Sequence, residues 1–247
     1  MPLTCKKFLG FPILLQPPYA TNLGVYSVNV ISRDVVKEYI DQMISRYFYI
    51  DINLNKYNRL TSLFFKPRHD SIFELDLIPN YQRIHAAYSS KISGRIIQSS
   101  ANKLSILAGM NSNDLIKLHL ENKSWIWKFL FKRKVDKLKM LISTAIKYRV
   151  GQIYGAYTRE NTLCGAALFV WSHQKVFLLF FGLTSIGINE YALETIIDEF
   201  IKLHAEQNIT LRFEYTHRKK YADIYMGFGG RKFEFTRIKR FNLRWLN

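Results

Sequence analysis

Three apolar segments joined by two short polar turns are the feature of this 247-residue sequence that most limits its fold. The segments cover residues 152–157, 163–171 and 176–182, and each has the length and the apolar, aromatic-rich composition of a buried strand. The turns, residues 159–161 and 172–174, are of the length that joins neighbouring antiparallel strands. We therefore predict a three-stranded antiparallel meander in the second half of the chain.

Strand-like and helix-like segments alternate through the rest of the chain, which predicts an α+β fold in packed layers. Helical periodicity predicts helices at residues 33–47, 79–101, 113–122, 132–148, 190–206 and 219–226. Further strands are predicted at residues 11–16, 49–54, 71–75, 103–107, 209–215 and 232–240. Ser32 is the predicted N-cap of the first helix, and the second helix is predicted to break near Ser93 and Gly94.

The charge of the chain is strongly positive: 36 Lys and Arg against 19 Asp and Glu give a net charge of +17 at pH 7. Such an excess attracts polyanions, which include nucleic acids, anionic lipids and phosphorylated cofactors. The basic residues are spread along the chain, with denser groups at residues 132–139, 217–220 and 237–244. The same residues also suit the solvent-exposed side of helices and strands, so the charge by itself does not decide the function.

Composition and short motifs exclude several classes of protein. Hydrophobic residues make up 48% of the chain, which is enough for packed cores and rules out wholesale disorder. Cys5 and Cys164 are the only cysteines, which argues against a disulfide framework and favours a reducing compartment. The sequence has no signal-peptide pattern, no apolar run near the roughly 20 residues of a membrane helix, and no zinc, P-loop or G-x-S-x-G motif. We expect a soluble, cytoplasmic protein without a metal site.

Four short motifs follow one another in order along the chain. They are QPPYATNLGV at residues 16–25, LRFE at 211–214, IYMGFGG at 224–230 and RIKRFNLRW at 237–245. Together with the order of the predicted elements, they resemble the GNAT acyltransferase superfamily, and more closely the two-domain, Fem-like GNAT proteins of bacteria. The resemblance implies a mixed, mostly antiparallel sheet flanked by helices.

The resemblance also implies two GNAT-like units in tandem. Residues 1–101 correspond to an N-terminal unit that lacks the opening strand and helix of its relatives, and residues 102–247 correspond to a complete acyltransferase domain. A sheet without its opening strand has an unpaired edge, and such edges recruit partners. We therefore expect either self-association into a homo-oligomer through the first unit or an upstream extension of the chain.

The activity that the resemblance implies is transfer of an acyl group from an acyl-CoA thioester, first of all acetyl-CoA, to the amine of a small molecule or peptide. GNAT-like domains bind the donor's diphosphate on backbone N–H groups at the start of a helix, where the helix end is positive. The candidate donor-binding residues in the corresponding expected loop are Thr184, Ser185, Gly187 and Asn189. Gly187 would allow a positive φ and close approach, whereas the following Glu190 would repel phosphate. A helix cap without a ligand is the alternative.

Two further residues are implied as catalytic by the resemblance. Tyr225 occupies the position of the tyrosine that protonates the departing thiolate in many GNAT enzymes, and a phenol stays protonated at pH 7 because its ordinary pKa is about 10. Glu214 lies on the strand that faces the reacting centre and could accept a proton from the amine. The alternatives are a packing role for a buried Tyr225 and a surface ion pair of Glu214 with Arg212 or Arg231.

Two other functions stay open at this level. Fem-type relatives transfer an amino acid from aminoacyl-tRNA, and the net charge of +17 suits RNA. The other function is a degenerate acyltransferase fold used as a binding module, which is suggested by the weak donor loop, with its single glycine and no basic residue, and by the missing opening of the first unit. An extended basic groove would favour RNA, a free donor loop beside an open slot would favour CoA, and a filled slot would favour the binding module.

Overall fold

The computed structural model describes residues 3–17, 19–20, 22–58, 60, 68–121, 132–213 and 219–242. Its contacts divide the chain into two compact units, Met1–Ile72 with Lys232–Asn247 and Phe73–Arg231. The C-terminal segment belongs to the first unit because the last strand pairs there. The division into tandem repeats at residues 101 and 102 stays a prediction, since the compact units are divided at other positions.

Within the described residues, the first unit has four neighbouring strands and one helix. Its strands are β1 (Cys5–Phe8), β2 (Phe11–Leu15), β3 (Tyr49–Asn53) and the last strand of the chain, β10 (Arg231–Phe241), in the order β1-β2-β3-β10. The pairings of β1 with β2 and of β3 with β10 are antiparallel, and that of β2 with β3 is parallel. The strands predicted at residues 11–16, 49–54 and 232–240 are confirmed, whereas the sequence analysis predicted no strand at β1.

The helix of the first unit, α1 (Arg33–Arg46), shows how the sequence positions an element. The backbone N–H of Val35 donates to the Ser32 hydroxyl over 3.3 Å, so the predicted N-cap is confirmed. Val36, Ile40 and Met43 recur at helical spacing and are buried. They pack with Leu14, Ile50, Ile52 and Ile238 of the strands to form the core of this unit.

Six of the described strands belong to the second unit, in which β4 lies from Phe73 onward. They are β4 (Arg68–Asp76), β5 (Ser105–Ala108), β6 (Gly151–Tyr157), β7 (Leu163–Ser172), β8 (Lys175–Leu183) and β9 (Thr210–Phe213), in the order β4-β9-β8-β7-β6-β5. The pairing of β8 with β9 is parallel and the other pairings are antiparallel. The predicted meander of β6, β7 and β8 is therefore confirmed.

Helices flank this sheet, and the mixed, mostly antiparallel fold predicted from the sequence is confirmed. They are α2 (Tyr81–Ala86), α3 (Ser90–Ala101), α4 (Ser112–Glu121), α5 (Lys132–Lys147), α6 (Ser185–Asn189), α7 (Ala192–His204) and α8 (Lys219–Gly227). None of the helices in the described ranges is long and apolar enough to cross a bilayer.

Two details of the helix prediction are wrong. The break in the second predicted helix lies at residues 87–89, where the Ser89 hydroxyl accepts the N–H of Ile92 over 3.3 Å and caps α3. Ser93 and Gly94 lie inside α3. Residues 184–189 were expected to form a loop, but they form the N-cap and the whole of α6 because the Thr184 side chain caps a helical turn there.

Strand β7 lies at the centre of the packing of the second unit. Its residues 164–169 are buried without a break, which means that both faces of the strand are covered. Phe169 of β7 stacks on Phe200 of α7, with ring centroids 3.9 Å apart. Helix α6 approaches β7 so closely that a side chain at Gly187 would overlap the carbonyl oxygen of Cys164.

Alanine substitutions at Gly94 and Gly187 should shift stability in opposite directions. A Cβ at Gly94 meets no atom within 4 Å, so Gly94→Ala should raise the free energy of unfolding by about 0.5–1 kcal/mol through its higher helix propensity. Gly187→Ala should lower it by about 1–3 kcal/mol, because the helix is pushed off the strand. Urea unfolding followed by circular dichroism measures both changes. Equal effects of the two substitutions would contradict the described contact of α6 with β7.

Candidate functional site

The candidate site lies beyond the described pairing of two parallel strands of the second unit. The described pairing of β8 with β9 runs from Lys175 opposite Thr210 to Leu178 opposite Phe213. Strand β8 continues beyond this pairing to Leu183. Carboxyl ends of neighbouring parallel strands are where α/β sheets commonly hold ligands. Residues from α3, α6, α7 and α8 surround this end of β8.

A small cavity and a larger groove lie side by side at this end of the strands. The cavity has a volume of about 30 Å³, and Leu183, Tyr191, Tyr221 and other side chains line it. The groove has a volume of about 280 Å³ and lies between α3 and α8. Arg95 and Lys220 border both spaces. The cavity and the groove therefore adjoin each other and share basic side chains at their border.

The walls of the groove are predominantly basic. Lys91 and Arg95 contribute from α3, and Lys219 and Lys220 contribute from the first turn of α8. Asp223 is the acidic residue that lines the same space. Because Arg95 is paired with the carboxylate of Glu194, the net positive charge comes from Lys91, Lys219 and Lys220 against Asp223. A net positive charge in a concave surface favours an anionic ligand.

A buried ion pair forms the wall between the groove and the cavity. The Arg95 Nη1 atom lies 2.6 Å from the Glu194 Oε1 atom, and the two side chains are 17% and 6% exposed. The guanidinium of Arg95 also lies 5.1 Å from the ring centroid of Tyr191. A buried carboxylate of this kind requires its cation, since an unpaired buried charge costs several kcal/mol. Glu194 therefore fixes Arg95 at the edge of the groove.

Tyr191 connects α6 to α7 in a conformation that tyrosine seldom adopts. Its φ of 57° lies in the left-handed region, which disfavours residues with a Cβ. Residues held in this way cost about 1–3 kcal/mol and cluster at functional sites. The conformation turns the chain between the two helices and places the Tyr191 ring against the cavity and Arg95.

Helix α7 carries a second buried carboxylate, Asp198, one turn after Glu194. The hydroxyl of Tyr88 donates to Asp198 over 2.9 Å, and the hydroxyl of Tyr81 donates over 3.1 Å. Burial, and then the charge of Asp198, raise the pKa of both phenols far above their usual range. The two tyrosines and Arg95 thus bind α7 to the segment that contains α2 and α3, which holds the wall of the groove in place.

The four predicted donor-binding residues lie together on one turn, but they do not form an open cradle. The N–H of Gly187 donates to the Thr184 hydroxyl over 3.0 Å, and that hydroxyl donates to the Cys164 carbonyl over 3.2 Å. Gly187 has no positive φ, contrary to the expectation, and its lack of a side chain accommodates the backbone of β7. Ser185 and Asn189 are exposed on α6 and do not line the described cavity.

Of the two predicted catalytic residues, Tyr225 lies among the described residues and Glu214 does not. Tyr225 is 3% exposed, and its ring stacks on Phe213 with centroids 4.5 Å apart. Tyr225 therefore belongs to the core, while Tyr221, one turn earlier on α8, lines the cavity. Glu214 lies outside the described residues. The catalytic roles of Tyr225 and Glu214 stay predictions.

Cys164, the cysteine beneath α6, does not suit nucleophilic chemistry. Burial, followed by the negative charge of Glu190, raises the pKa of its thiol to about 11. The thiol donates to the carbonyl of Ala156 over 3.3 Å. A thiol in this state is protonated near neutral pH, so covalent catalysis through Cys164 is excluded. Within the ranges that the structure describes, no three His, Cys, Asp or Glu side chains are grouped as metal ligands would be.

Sequence reasoning missed four residues that shape the site, namely Arg95, Tyr191, Glu194 and Tyr221. Arg95 lay beside the wrongly predicted helix break, and an acidic residue in the first turn of a helix such as Glu194 is an ordinary capping preference. Tyr221 stands at helical spacing before Tyr225 and could have been weighed against it. No sequence signal indicates the left-handed φ of Tyr191.

Comparisons with known proteins give structural matches alone. No protein-family model matches the chain. A search of curated proteins finds no match either. Among solved structures, the match to a crystal structure of FemX covers 99% of this chain and 85% of that one, with a TM-score of 0.60 and 9% sequence identity.

Two further structures have a similar fold. A conserved protein of unknown function from Bacteroides thetaiotaomicron matches over 94% of this chain and 79% of its own, with a TM-score of 0.54 and 9% identity. The C-terminal domain of a putative lysylphosphatidylglycerol synthetase from Agrobacterium fabrum matches over 98% and 81%, with a TM-score of 0.50 and 5% identity. At these identities the likeness concerns the fold alone, and the three structures share the fold of this chain.

Proposed function

We propose that this protein transfers an aminoacyl group from an aminoacyl-tRNA to the amine of a small molecule or peptide. The observation that carries the proposal is the basic groove between α3 and α8, which adjoins the cavity at the end of β8. Three further points support it: the poor fit of the alternative donor, the shape of the site and the chemistry of its side chains.

The turn that would bind the diphosphate of acyl-CoA, the donor expected from the resemblance, offers few groups for it, which supports the choice of another donor. Phosphate binding at a helix start needs free N–H groups and a positive helix end. The Gly187 N–H is already bonded to Thr184, and the carboxylate of Glu194 is buried in the first turn of α7. A second carboxylate, that of Glu190, accepts a hydrogen bond from Asn102 beside the same turn. An added diphosphate would meet negative charge there.

The groove suits the other class of donor. Lys91, Arg95, Lys219 and Lys220 come from two helices and so present charge along a surface rather than at one point. A tRNA offers many phosphates, and each one neutralised by a basic side chain releases condensed counterions. The net charge of +17 adds long-range attraction. The aminoacyl end would then lie in the groove, beside the small cavity that Tyr191 and Tyr221 border.

The reaction is an exchange of an ester for an amide. The amine nitrogen bonds to the carbonyl carbon, the bond to the ribose oxygen breaks, and that oxygen gains a proton while the amine loses one. A phenol is protonated at neutral pH and can donate to the leaving oxygen. Tyr221 borders the cavity, whereas the ring of Tyr225 is in the core, so we assign the proton donor to Tyr221.

Replacing the two lysines of α8 should weaken binding of charged tRNA. We expect Lys219→Gln with Lys220→Gln to raise the dissociation constant about tenfold and to lower the slope of log K against log salt by about 1–2, because two phosphate contacts are lost. Fluorescence anisotropy with aminoacyl-tRNA at several salt concentrations measures both quantities. Titration of the unmodified protein with acetyl-CoA should show no binding heat.

The matched control is the pair Lys139→Gln and Lys147→Gln on α5. These lysines are exposed and do not line the groove, so the control removes the same charge from another helix and should change affinity less than threefold. Equal losses in both pairs would mean that charge acts nonspecifically. Binding of acetyl-CoA without binding of tRNA would reverse the choice of donor, and failure of both would favour a binding module.

The two tyrosines of α8 separate the proposed proton donor from the one expected by resemblance. Tyr221→Phe should lower turnover about 10²–10⁴-fold with little change in melting temperature, because the ring and its contact with Phe181 are retained. Tyr225→Phe should change turnover less than threefold. Single-turnover release of a labelled amino acid from tRNA to a panel of amines measures the rates. The opposite pattern would return the role to Tyr225.

A further inference from the structure

One end of the first unit's sheet brings together three chain segments that are far apart in sequence. Phe11, after the β1–β2 turn, packs on Phe48 with ring centroids 4.7 Å apart. Tyr49, at the start of β3, packs on Phe241, at the end of β10, with centroids 4.4 Å apart. The β-strand registers place the same residues at this end. We call this surface, formed by residues 5–12, 44–50 and 238–242, the hairpin end.

The tip of the hairpin end exposes a leucine in a conformation that disfavours leucine. Leu9 and Gly10 form a two-residue turn between paired Phe8 and Phe11, with φ values of 49° and 84°. Such turns strongly favour Asn, Asp or Gly at the first position. Leu9 is 82% exposed, so its side chain gains almost no burial within this fold in return for the backbone strain.

More apolar surface extends from Leu9 along the hairpin end. Phe8, beside Leu9, is 61% exposed. Phe241, on β10, is 59% exposed, and its ring lies 6.0 Å from that of Phe48, which packs on Phe11. Large exposed apolar side chains that are grouped, rather than scattered singly, mark surfaces that bind partners. The hairpin end therefore has an apolar tip and an apolar edge that the folded first unit leaves in contact with solvent.

Basic residues surround this apolar surface. The five cations of the hairpin end are Lys6, Lys7, Arg46, Lys239 and Arg240, and its three segments contain no Asp or Glu. Asp51 is the acidic residue opposite Lys239 in the strand register, and its carboxylate is bonded by Arg237 over 2.8 and 3.0 Å. Net positive charge is thus concentrated around exposed leucine and phenylalanine side chains.

We propose that the hairpin end binds the surface of an anionic lipid membrane, with Leu9 and Phe8 inserted at the level of the acyl-chain boundary and the lysines among the headgroups. Apolar side chains flanked by Lys and Arg are the chemistry that peripheral membrane binding requires. This site is separate from the proposed transfer site and does not depend on it.

The chemistry of the tip selects lipid over two other occupants. Leu9 has no aromatic face on which a nucleic-acid base could stack, so the residue under strain contributes nothing to RNA binding. A second copy of the chain, docked face to face, would bring two sets of five cations together, and such like-charge contacts are unfavourable. An anionic membrane offers negatively charged headgroups for the lysines and, beneath them, acyl chains for Leu9 and Phe8.

Leu9→Asn is the sharpest test, because its effects on stability and on binding have opposite signs. Asparagine tolerates the left-handed φ, so the melting temperature should stay the same or rise. Binding to vesicles of phosphatidylcholine with phosphatidylglycerol should fall at least tenfold, because the inserted side chain is lost. Co-sedimentation with vesicles and thermal unfolding of the same preparation measure the two effects. The unmodified protein should bind vesicles of phosphatidylcholine alone at least tenfold more weakly.

A charge variant provides the second arm. Lys6→Gln with Lys7→Gln should weaken binding to anionic vesicles about 25-fold, at about fivefold for each lysine, while Lys139→Gln with Lys147→Gln should leave it within threefold. The proposal is overturned if Leu9→Asn binds vesicles as well as the unmodified protein does. It is equally overturned if neutral and anionic vesicles bind alike, if the hairpin-end variants lose tRNA binding rather than vesicle binding, or if Leu9→Asn instead dissolves a dimer in sedimentation.

Discussion

Burial of β7 on both faces is the constraint on which the second unit depends. Six consecutive residues of this strand, 164–169, are inaccessible to solvent, so helices have to cover both faces of the sheet. On one of them α7 stacks Phe200 on Phe169. Between β8 and α7 the chain forms α6, which lies against the backbone of Cys164. Position 187 requires glycine because a Cβ there would overlap the carbonyl oxygen of Cys164. Covering one strand thus fixes the path of the chain next to the candidate site.

The same path decides the chemistry of the site. With α6 packed on β7, the N–H of Gly187 is bonded within the turn, and α7 begins with a buried glutamate. Two carboxylates on α7, Glu194 and Asp198, then need partners. Arg95 supplies one, and Tyr81 and Tyr88 supply the other. The need to pair the buried carboxylate of Glu194 therefore places Arg95 beside the groove. The N–H of Gly187, which could bind phosphate in an open turn, is bonded to Thr184 instead.

Local patterns in the sequence predicted most of the elements. The meander of β6, β7 and β8 follows from short apolar runs and short turns, and α1 follows from the spacing of Val36, Ile40 and Met43 behind a serine cap. The residues that define each of these features lie within a few positions of one another, so cap preferences and hydrophobic periodicity detect them. The break before α3 was misplaced because the sequence offers two candidates for it: Ser89 is a good N-cap, and the Ser93–Gly94 pair disfavours a helix. Local signals alone did not show which of the two marks the break.

By itself, the sequence determined the net positive charge, the presence of two cysteines and the order of most helices and strands. It also supplied the apolar and basic residues of the hairpin end. The tertiary structure decided which of those residues meet. Arg95 and Glu194 are 99 positions apart and become an ion pair, whereas Tyr225 turns out to be stacked in the core and Tyr221 borders the cavity. Contacts of this kind depend on how helices pack on a sheet that is covered on both faces. Such packing joins residues that are far apart in the sequence, so local sequence patterns do not predict it.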